Sequence, residues 1–237
     1  MSNSFFQFKQ FTIQQERCAM KVCTDACLFG AWLAGEMRNR EIDRALDIGA
    51  GTGLLSLMIA QQLNATIDAV EIDEAAAQQA AENMNASNWR ERLSVHNKGA
   101  QEYDAEKYDL IFSNPPFFEG DLKSDDKKRN LALHSTELSL QELIVTVKRL
   151  LLPQGYFAVL LPYHRAEEWA GLAEENGLHV QQQVNVKQTP KHNYFRSMLL
   201  FGETKNEKNI SEITIKGADN EYTQDFINLL KDYYLYL

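Results

Sequence analysis

The stretch from Arg44 to Leu63, RALDIGAGTGLLSLMIAQQL, constrains this chain more than any other. A short β-prone run, Arg44 to Ile48, passes into glycines at alternate positions, Gly49, Gly51 and Gly53, and an apolar helical stretch, Leu54 to Leu63, follows at once. Glycine tolerates the left-handed backbone that so sharp a turn needs, and its missing side chain lets the backbone approach a ligand closely. The first amides of the following helix lack intrahelical partners and attract a carboxylate or phosphate. A dinucleotide-binding turn reads G-x-G-x-x-G; this one reads G-x-G-x-G, which speaks against a nicotinamide cofactor.

From Arg44 onward, β-like runs alternate with amphipathic stretches, the pattern of an α/β fold whose parallel sheet is covered by helices on both faces. The strands are expected at Arg44 to Ile48, Ile67 to Glu71, Arg92 to His96, Tyr108 to Ser113 and Tyr156 to Leu161. Helices fall between and after them: Leu54 to Leu63, Glu74 to Ser87, Ser139 to Leu151 before a Pro153/Gly155 stop, and Arg165 to Asn176 closed by Gly177. Leu178 to Lys187 and Arg196 to Gly202, joined by QTPKHNYF, are expected to form an antiparallel hairpin, which brings the sheet to seven strands. The polar linker ETKNEKN then leads to a short strand, Ile210 to Lys216, and a final helix, Tyr222 to Tyr236.

At 237 residues the chain suits one large domain over residues 1–237. No apolar run approaches the roughly eighteen residues of a membrane span, and the start, MSNSFFQFKQF, lacks the pattern of a secretory signal, so a cytoplasmic protein is expected. Cys18, Cys23 and Cys27 lack the C-x-x-C spacing of zinc or redox sites and are expected to line a buried turn of helix, with no metal. The net charge of −9 argues against a large nonspecific nucleic-acid footprint. An RNA partner would be met by local basic groups, Lys123, Lys127, Lys128 and Arg129, or Lys187, Lys191, His192 and Arg196; each cluster reads equally as a solvated loop.

The second strand ends in AVEID, where Glu71 is placed to accept both hydrogen bonds of a ribose diol. Strand, D-x-G-x-G-x-G, helix and strand-end Glu together resemble the S-adenosylmethionine-dependent methyltransferases of the seven-strand Rossmann-like class. The resemblance implies the sheet order 3-2-1-4-5-7-6 with the seventh strand antiparallel. It also implies that Glu71 holds the ribose and Asp47, directly or through water, the amino-acid end of the cofactor, with Gly49, Gly51, Gly53 and Ile72 completing the cradle. The region after the third strand, VHNKGAQ, offers no acid for the adenine; Asn97, the backbone of Ala100, or Gln101 would substitute.

The fourth strand ends in DLIFSNPPFF, which delivers Asn114, Pro115, Pro116, Phe117 and Phe118 to the carboxyl edge of the sheet, where open α/β sheets bind ligands. Two prolines fix the backbone and remove its N–H donors, leaving the Pro115 carbonyl as an acceptor, while the Asn114 amide oxygen is a second. A planar amino group is a poor nucleophile because its lone pair is delocalised. Two acceptors gripping its hydrogens pull the nitrogen toward tetrahedral geometry, and no strong base is needed because the methylated nitrogen is acidic. Phe117 would offer a base a stacking face, a contact of about 1 to 3 kcal/mol. A rigid loop packing two Phe rings into the core is the non-catalytic reading of the same residues. The segment resembles the N-P-P-aromatic motif of amino-methyltransferases acting on adenine N6, guanine N2 or glutamine amides.

FKQFTIQQERCAMKVCTDACLFGAW near the start and YTQDFINLLKDYYLYL at the end, together with NPPFF, resemble the bacterial tRNA1(Val) (adenine-N6)-methyltransferases over essentially the whole chain. The resemblance implies methylation of adenosine 37 in the anticodon arm of a tRNA. It also implies a segment 1–40 that covers the methionine end of the cofactor through Lys21, Thr24 and Asp25, a core at 41–202 and a C-terminal strand and helix at 210–237. Cys23 and Ala26 stand where the family pattern has glycine, and a first helix packed on the sheet is the plainer reading of that segment. Lys123 to Arg129, beside the catalytic motif, is expected to grip the anticodon arm. A protein glutamine-N5 methyltransferase would need a helical domain for which the residues before Asp47 are too few. The sequence is also compatible with an rRNA guanine-N2 methyltransferase and, outside the enzymes, with a noncatalytic RNA-binding module.

Overall fold

The computed structural model describes residues 3–18, 20–115 and 139–237. Pro116, Phe117 and the basic run Lys123, Lys127, Lys128 and Arg129 therefore lie outside the described residues. In chain order the elements are β1 (Phe5–Gln7), β2 (Thr12–Gln14), α1 (Thr24–Met37), β3 (Arg44–Ile48), α2 (Leu54–Gln62), β4 (Thr66–Glu71), α3 (Glu74–Asn85), β5 (Leu93–Asn97), β6 (Tyr108–Ser113), α4 (Leu140–Leu150), β7 (Leu151–Pro162), α5 (Ala166–Glu175), β8 (His179–Lys187), β9 (Tyr194–Gly202), β10 (Asn209–Thr214) and α6 (Gln224–Leu230).

The main sheet has the order β10-β8-β9-β7-β6-β3-β4-β5. From β5 to β8 this is the expected order 3-2-1-4-5-7-6, and β9 runs antiparallel to both β7 and β8. The expected count of seven is corrected to eight, because β10 pairs in parallel with β8 from Asn209↔Gln182 to Thr214↔Lys187. An edge strand of this kind needs only one apolar face, and β10 buries only Ile213 while its other residues remain exposed or half-buried. Pro153 and Gly155 do not stop the chain between elements. Leu151 pairs with Tyr108 and Tyr156 with Leu110, so the intervening residues bulge out of β7. Gly155 is needed there, since a Cβ would lie 3.0 Å from the Asp109 carbonyl oxygen.

Alternation along the central strands sorts side chains to two cores. Ala45, Leu110 and Phe112 join α1 and α2, whereas Leu46, Ile48 and Ile111 join α4 and α5 around Trp169. α1 and α2 approach closely at Gly30, where a Cβ would come within 2.8 Å of the Met58 sulfur. α4 begins with a capping box in which Ser139 and Glu142 satisfy each other's backbone amides.

The ends of the chain meet on the α1/α2 side. A hairpin, β1/β2, precedes α1, and Phe6 and Phe8 pack their rings against Tyr234. The Lys9 amide donates to the Tyr233 carbonyl at 2.8 Å, and the Tyr233 hydroxyl donates to the Met58 carbonyl at 3.1 Å. These contacts draw the final aromatics out of helical geometry, so the helix expected over Tyr222 to Tyr236 is confined to α6. The cysteines are also corrected: Cys27 alone lies within α1, Cys18 is buried in the preceding segment, and Cys23 is exposed at the α1 N-cap.

Candidate active site

The carboxyl edge of β3, β4 and β6 gathers the residues singled out by the sequence. Gly49, Gly51 and Gly53 have φ of 75°, 55° and 77°, left-handed values that side chains disfavour. A Cβ at Gly49 or Gly51 would meet nothing within 4 Å, so these positions face open space, while at Gly53 it would stand 3.1 Å from the Met84 methyl. The Gly49 and Ala50 amides are anchored on the Val70 carbonyl, and the Gly53 amide closes a turn on the Ala50 carbonyl.

Glu71 fixes the middle of the loop. Its Oε2 accepts the Gly51 amide and its Oε1 the Asp73 amide, each at 2.9 Å. Each oxygen keeps a lone pair for a further donor. Asp73 in turn caps α3 by accepting the Ala76 amide at 2.8 Å. Asn97, paired with Glu71 in the β4/β5 register, donates to the Glu71 and Ile72 carbonyls at 2.9 and 3.1 Å. Ile72 is 57% exposed beside it, an apolar side chain at the rim. Ala100 is buried, and its carbonyl accepts from Arg149 of α4, which also binds the Tyr103 carbonyl at 2.8 Å and so holds this turn.

Asp47 lies below the loop with no exposure. Its Oδ2 accepts the Ser56 hydroxyl at 2.7 Å, and its Oδ1 has no partner. Burial pushes the carboxyl up to about 7; the Ser56 bonds pull it down, and the charge of Glu71 pushes it further up. A buried, half-satisfied carboxylate of this kind is ready to receive a cationic donor.

Asn114 follows β6 directly. Ile48 and Ser113 are register partners, further joined by a 2.7 Å bond from the Ser113 hydroxyl to the Ile48 carbonyl. The next residues along these parallel strands, Gly49 and Asn114, therefore leave the sheet side by side. Asn114 is half-buried and Pro115 buried.

The methyltransferase small domain family model matches residues 30–161. The tRNA1(Val) (adenine(37)-N6)-methyltransferase of Dyadobacter fermentans is 42% identical, with 98% of each chain covered. The protein of the same name in Cytophaga hutchinsonii is also 42% identical, over 100% of each chain. This chain belongs to their family. In fold it is also like the solved structure of a predicted O-methyltransferase from Agrobacterium tumefaciens, at TM-score 0.66 and 14% identity, with 88% of this chain and 96% of that one covered.

Two residues expected in different roles stand together. Asp25, expected over the cofactor, and Arg196, expected on RNA, form one ion pair at 2.8 Å. Thr24 is exposed at the start of α1, and Lys21 is exposed with its ammonium 3.3 Å from the Asn3 carbonyl. Lys191 is exposed in the connection between β8 and β9. Because β8 runs parallel to β7, that connection emerges at the same sheet edge as Asn114. Sequence reasoning missed Ser56 and Asn83. Their signal was present: each is a polar residue on the buried side of a helix, Ser56 in LLSLMIA and Asn83 in AAENMN.

Proposed function

We propose that this chain methylates the N6 amino group of adenine 37 in a tRNA of the tRNA1(Val) kind, in the cytoplasm, with S-adenosylmethionine as methyl donor. The observation that carries the reading is the adjacency of Gly49 and Asn114 at one sheet edge, set by the Ile48↔Ser113 pair. It supports a cofactor cradle and an amide acceptor that share one sheet edge, as transfer to a planar amino group requires.

The residues fit the cofactor. The free Oδ1 of Asp47 and the open space above Gly49 and Gly51 are what its charged amino-acid end would need. Glu71, with a lone pair left on each oxygen, suits the ribose diol, and Ile72 and Asn97 suit the adenine rim. When bound, S-adenosylmethionine supplies an electrophilic methyl group on sulfonium. The protein's own share is to hold the target: the Asn114 amide oxygen and the Pro115 carbonyl accept the two amino hydrogens and turn the nitrogen lone pair out of the ring plane. Pro116 is assigned to the rigidity of the motif and Phe117 to the face that receives the base, which must leave its loop to enter. Lys21, Thr24 and Asp25 are assigned to the cover over the methionine end, and Lys123, Lys127, Lys128, Arg129, Lys191 and Arg196 to the anticodon arm.

The test is turnover with methyl-labelled cofactor on unmodified total tRNA, followed by nucleoside analysis. Label in N6-methyladenosine is the expected result. Label in N2-methylguanosine or in protein, or no label, rejects the proposal.

A further inference from the structure

Asn83, on the inner face of α3, is 2% exposed and joins two parts of the chain that are remote in sequence. Its Nδ2 donates to the Thr52 carbonyl and to the Gln14 carbonyl, each at 2.9 Å. Its Oδ1 accepts the Gln14 amide, again at 2.9 Å. Both donors of the side chain are thus used, and the pair of hydrogen bonds exchanged with Gln14 imitates one rung of a β-ladder.

Each end of this link matters to the cofactor cradle. Thr52 stands between Gly51 and Gly53, two left-handed residues whose backbone has little intrinsic stiffness. Holding the Thr52 carbonyl fixes the peptide between them. Gln14 ends β2 and begins the segment that leads to α1. Gln15 folds that segment back, its Oε1 accepting the Val22 amide at 2.8 Å and its Nε2 donating to the Asn3 carbonyl at 3.0 Å. Within it Cys18 is buried, and after burial the main influences pushing its thiol up to about 11 are the charges of Glu71 and Asp73. The Arg17–Glu82 pair at 2.8 Å fastens the segment to α3 once more.

We infer that Asn83 is a positioning residue for the cofactor, clamping the N-terminal segment to the glycine loop so that the cradle is formed before the ligand arrives. The inference rests on the cofactor assignment proposed above. A clamp of this kind sets affinity by preorganisation and leaves the chemical step alone. A residue that served only to satisfy buried carbonyls would change stability without selectively changing the cradle.

The experiment compares the full chain with Asn83→Ala and with Ser87→Ala. Ser87 is a control just past the C-terminal end of α3, buried and, in contrast to Asn83, bonded back to its own helix at the Met84 carbonyl at 2.7 Å. S-adenosylmethionine affinity is read by calorimetry without RNA, hydrogen exchange is followed in the cofactor-free proteins, and KM and kcat are measured with tRNA. For Asn83→Ala the expected result is at least tenfold weaker cofactor binding, a matching rise in cofactor KM, kcat within twofold at saturation, and faster exchange in residues 12–18 and 49–53. Ser87→Ala lowers the Tm but leaves affinity within twofold. If Asn83→Ala does not fold, Asn83→Ser, which keeps one donor, is expected to weaken binding at least threefold. Affinity within twofold of the unaltered chain for whichever Asn83 variant folds overturns the clamp while leaving the proposed function standing. An unaltered chain that binds no S-adenosylmethionine overturns both.

Discussion

The Ser56 hydroxyl donates to Asp47 Oδ2 at 2.7 Å, and neither residue has any exposure. The bond ties the end of β3 to the first turns of α2 across the glycine loop and satisfies only half of the carboxylate. Ser56→Ala leaves the carboxylate without its hydroxyl donor. The expected cost is about 1 to 3 kcal/mol of stability at pH 8, read by urea unfolding, with weaker cofactor binding in the same variant.

Asp47 also makes the cofactor-free protein sensitive to pH. Its folded carboxyl titrates near 7 instead of at the usual 3.8, so the folded state holds a proton that the unfolded chain has lost. Stability contributed by this group is therefore full below the unfolded value and falls as pH rises toward 7. Asp47→Asn keeps an acceptor for Ser56 and cannot ionise. It should match the unaltered chain near pH 4 and exceed it at pH 8 by a few kcal/mol, at about 1.4 kcal/mol per pKa unit. The same titration predicts that S-adenosylmethionine binds more tightly as pH rises through 7 and releases protons on binding. Calorimetry in buffers of different ionisation enthalpy measures that release, and a heat independent of buffer would contradict the role given to Asp47.

Asn114 and Glu71 should separate binding from chemistry. Asn114→Ala is expected to keep cofactor affinity and to lose turnover by roughly two to three orders of magnitude, the usual effect of removing one preorganised hydrogen-bonding group. Glu71→Ala should do the reverse, with cofactor KM raised most and kcat partly recovered at saturation. Collapse of cofactor affinity in Asn114→Ala with near-normal turnover would show that the amide serves the cradle instead.

What the sequence made legible was local. The glycine spacing, the strand-end Glu71 and the position of Asn114 after β6 are each encoded by a few neighbouring residues, and the sheet order followed from the resemblance they carried. What it hid depends on partners far along the chain. Ser56 and Asn83 can be noticed as polar residues on the buried side of a helix, but their roles do not show until Asp47, Thr52 and Gln14 are beside them. The β1/β2 hairpin is too short for a periodic signal, and β10 owes its place to the open edge of β8. Pro153 and Gly155 read as a break because a bulge and a loop use the same residues.

The pairing of Asp25 with Arg196 divides the basic residues near the rim into two kinds. Arg196 already has its charge opposed at 2.8 Å, and Lys187 likewise pairs with Glu212 at 2.8 Å. Lys191 pairs with no acid among the described residues and stands exposed at the edge from which Asn114 emerges. A phosphate contact releases counterions, so it is recognised by the salt dependence of binding more surely than by affinity at one ionic strength. Lys191→Ala should weaken binding of an anticodon-arm RNA and reduce the slope of log affinity against log salt by somewhat less than about one. Arg196→Ala should change that slope less, because the guanidinium must first leave Asp25, and the freed Asp25 adds local negative charge. Fluorescence anisotropy between about 50 and 200 mM salt distinguishes the two. Equal slopes for Lys191→Ala and the unaltered chain would remove the β8–β9 connection from the RNA surface.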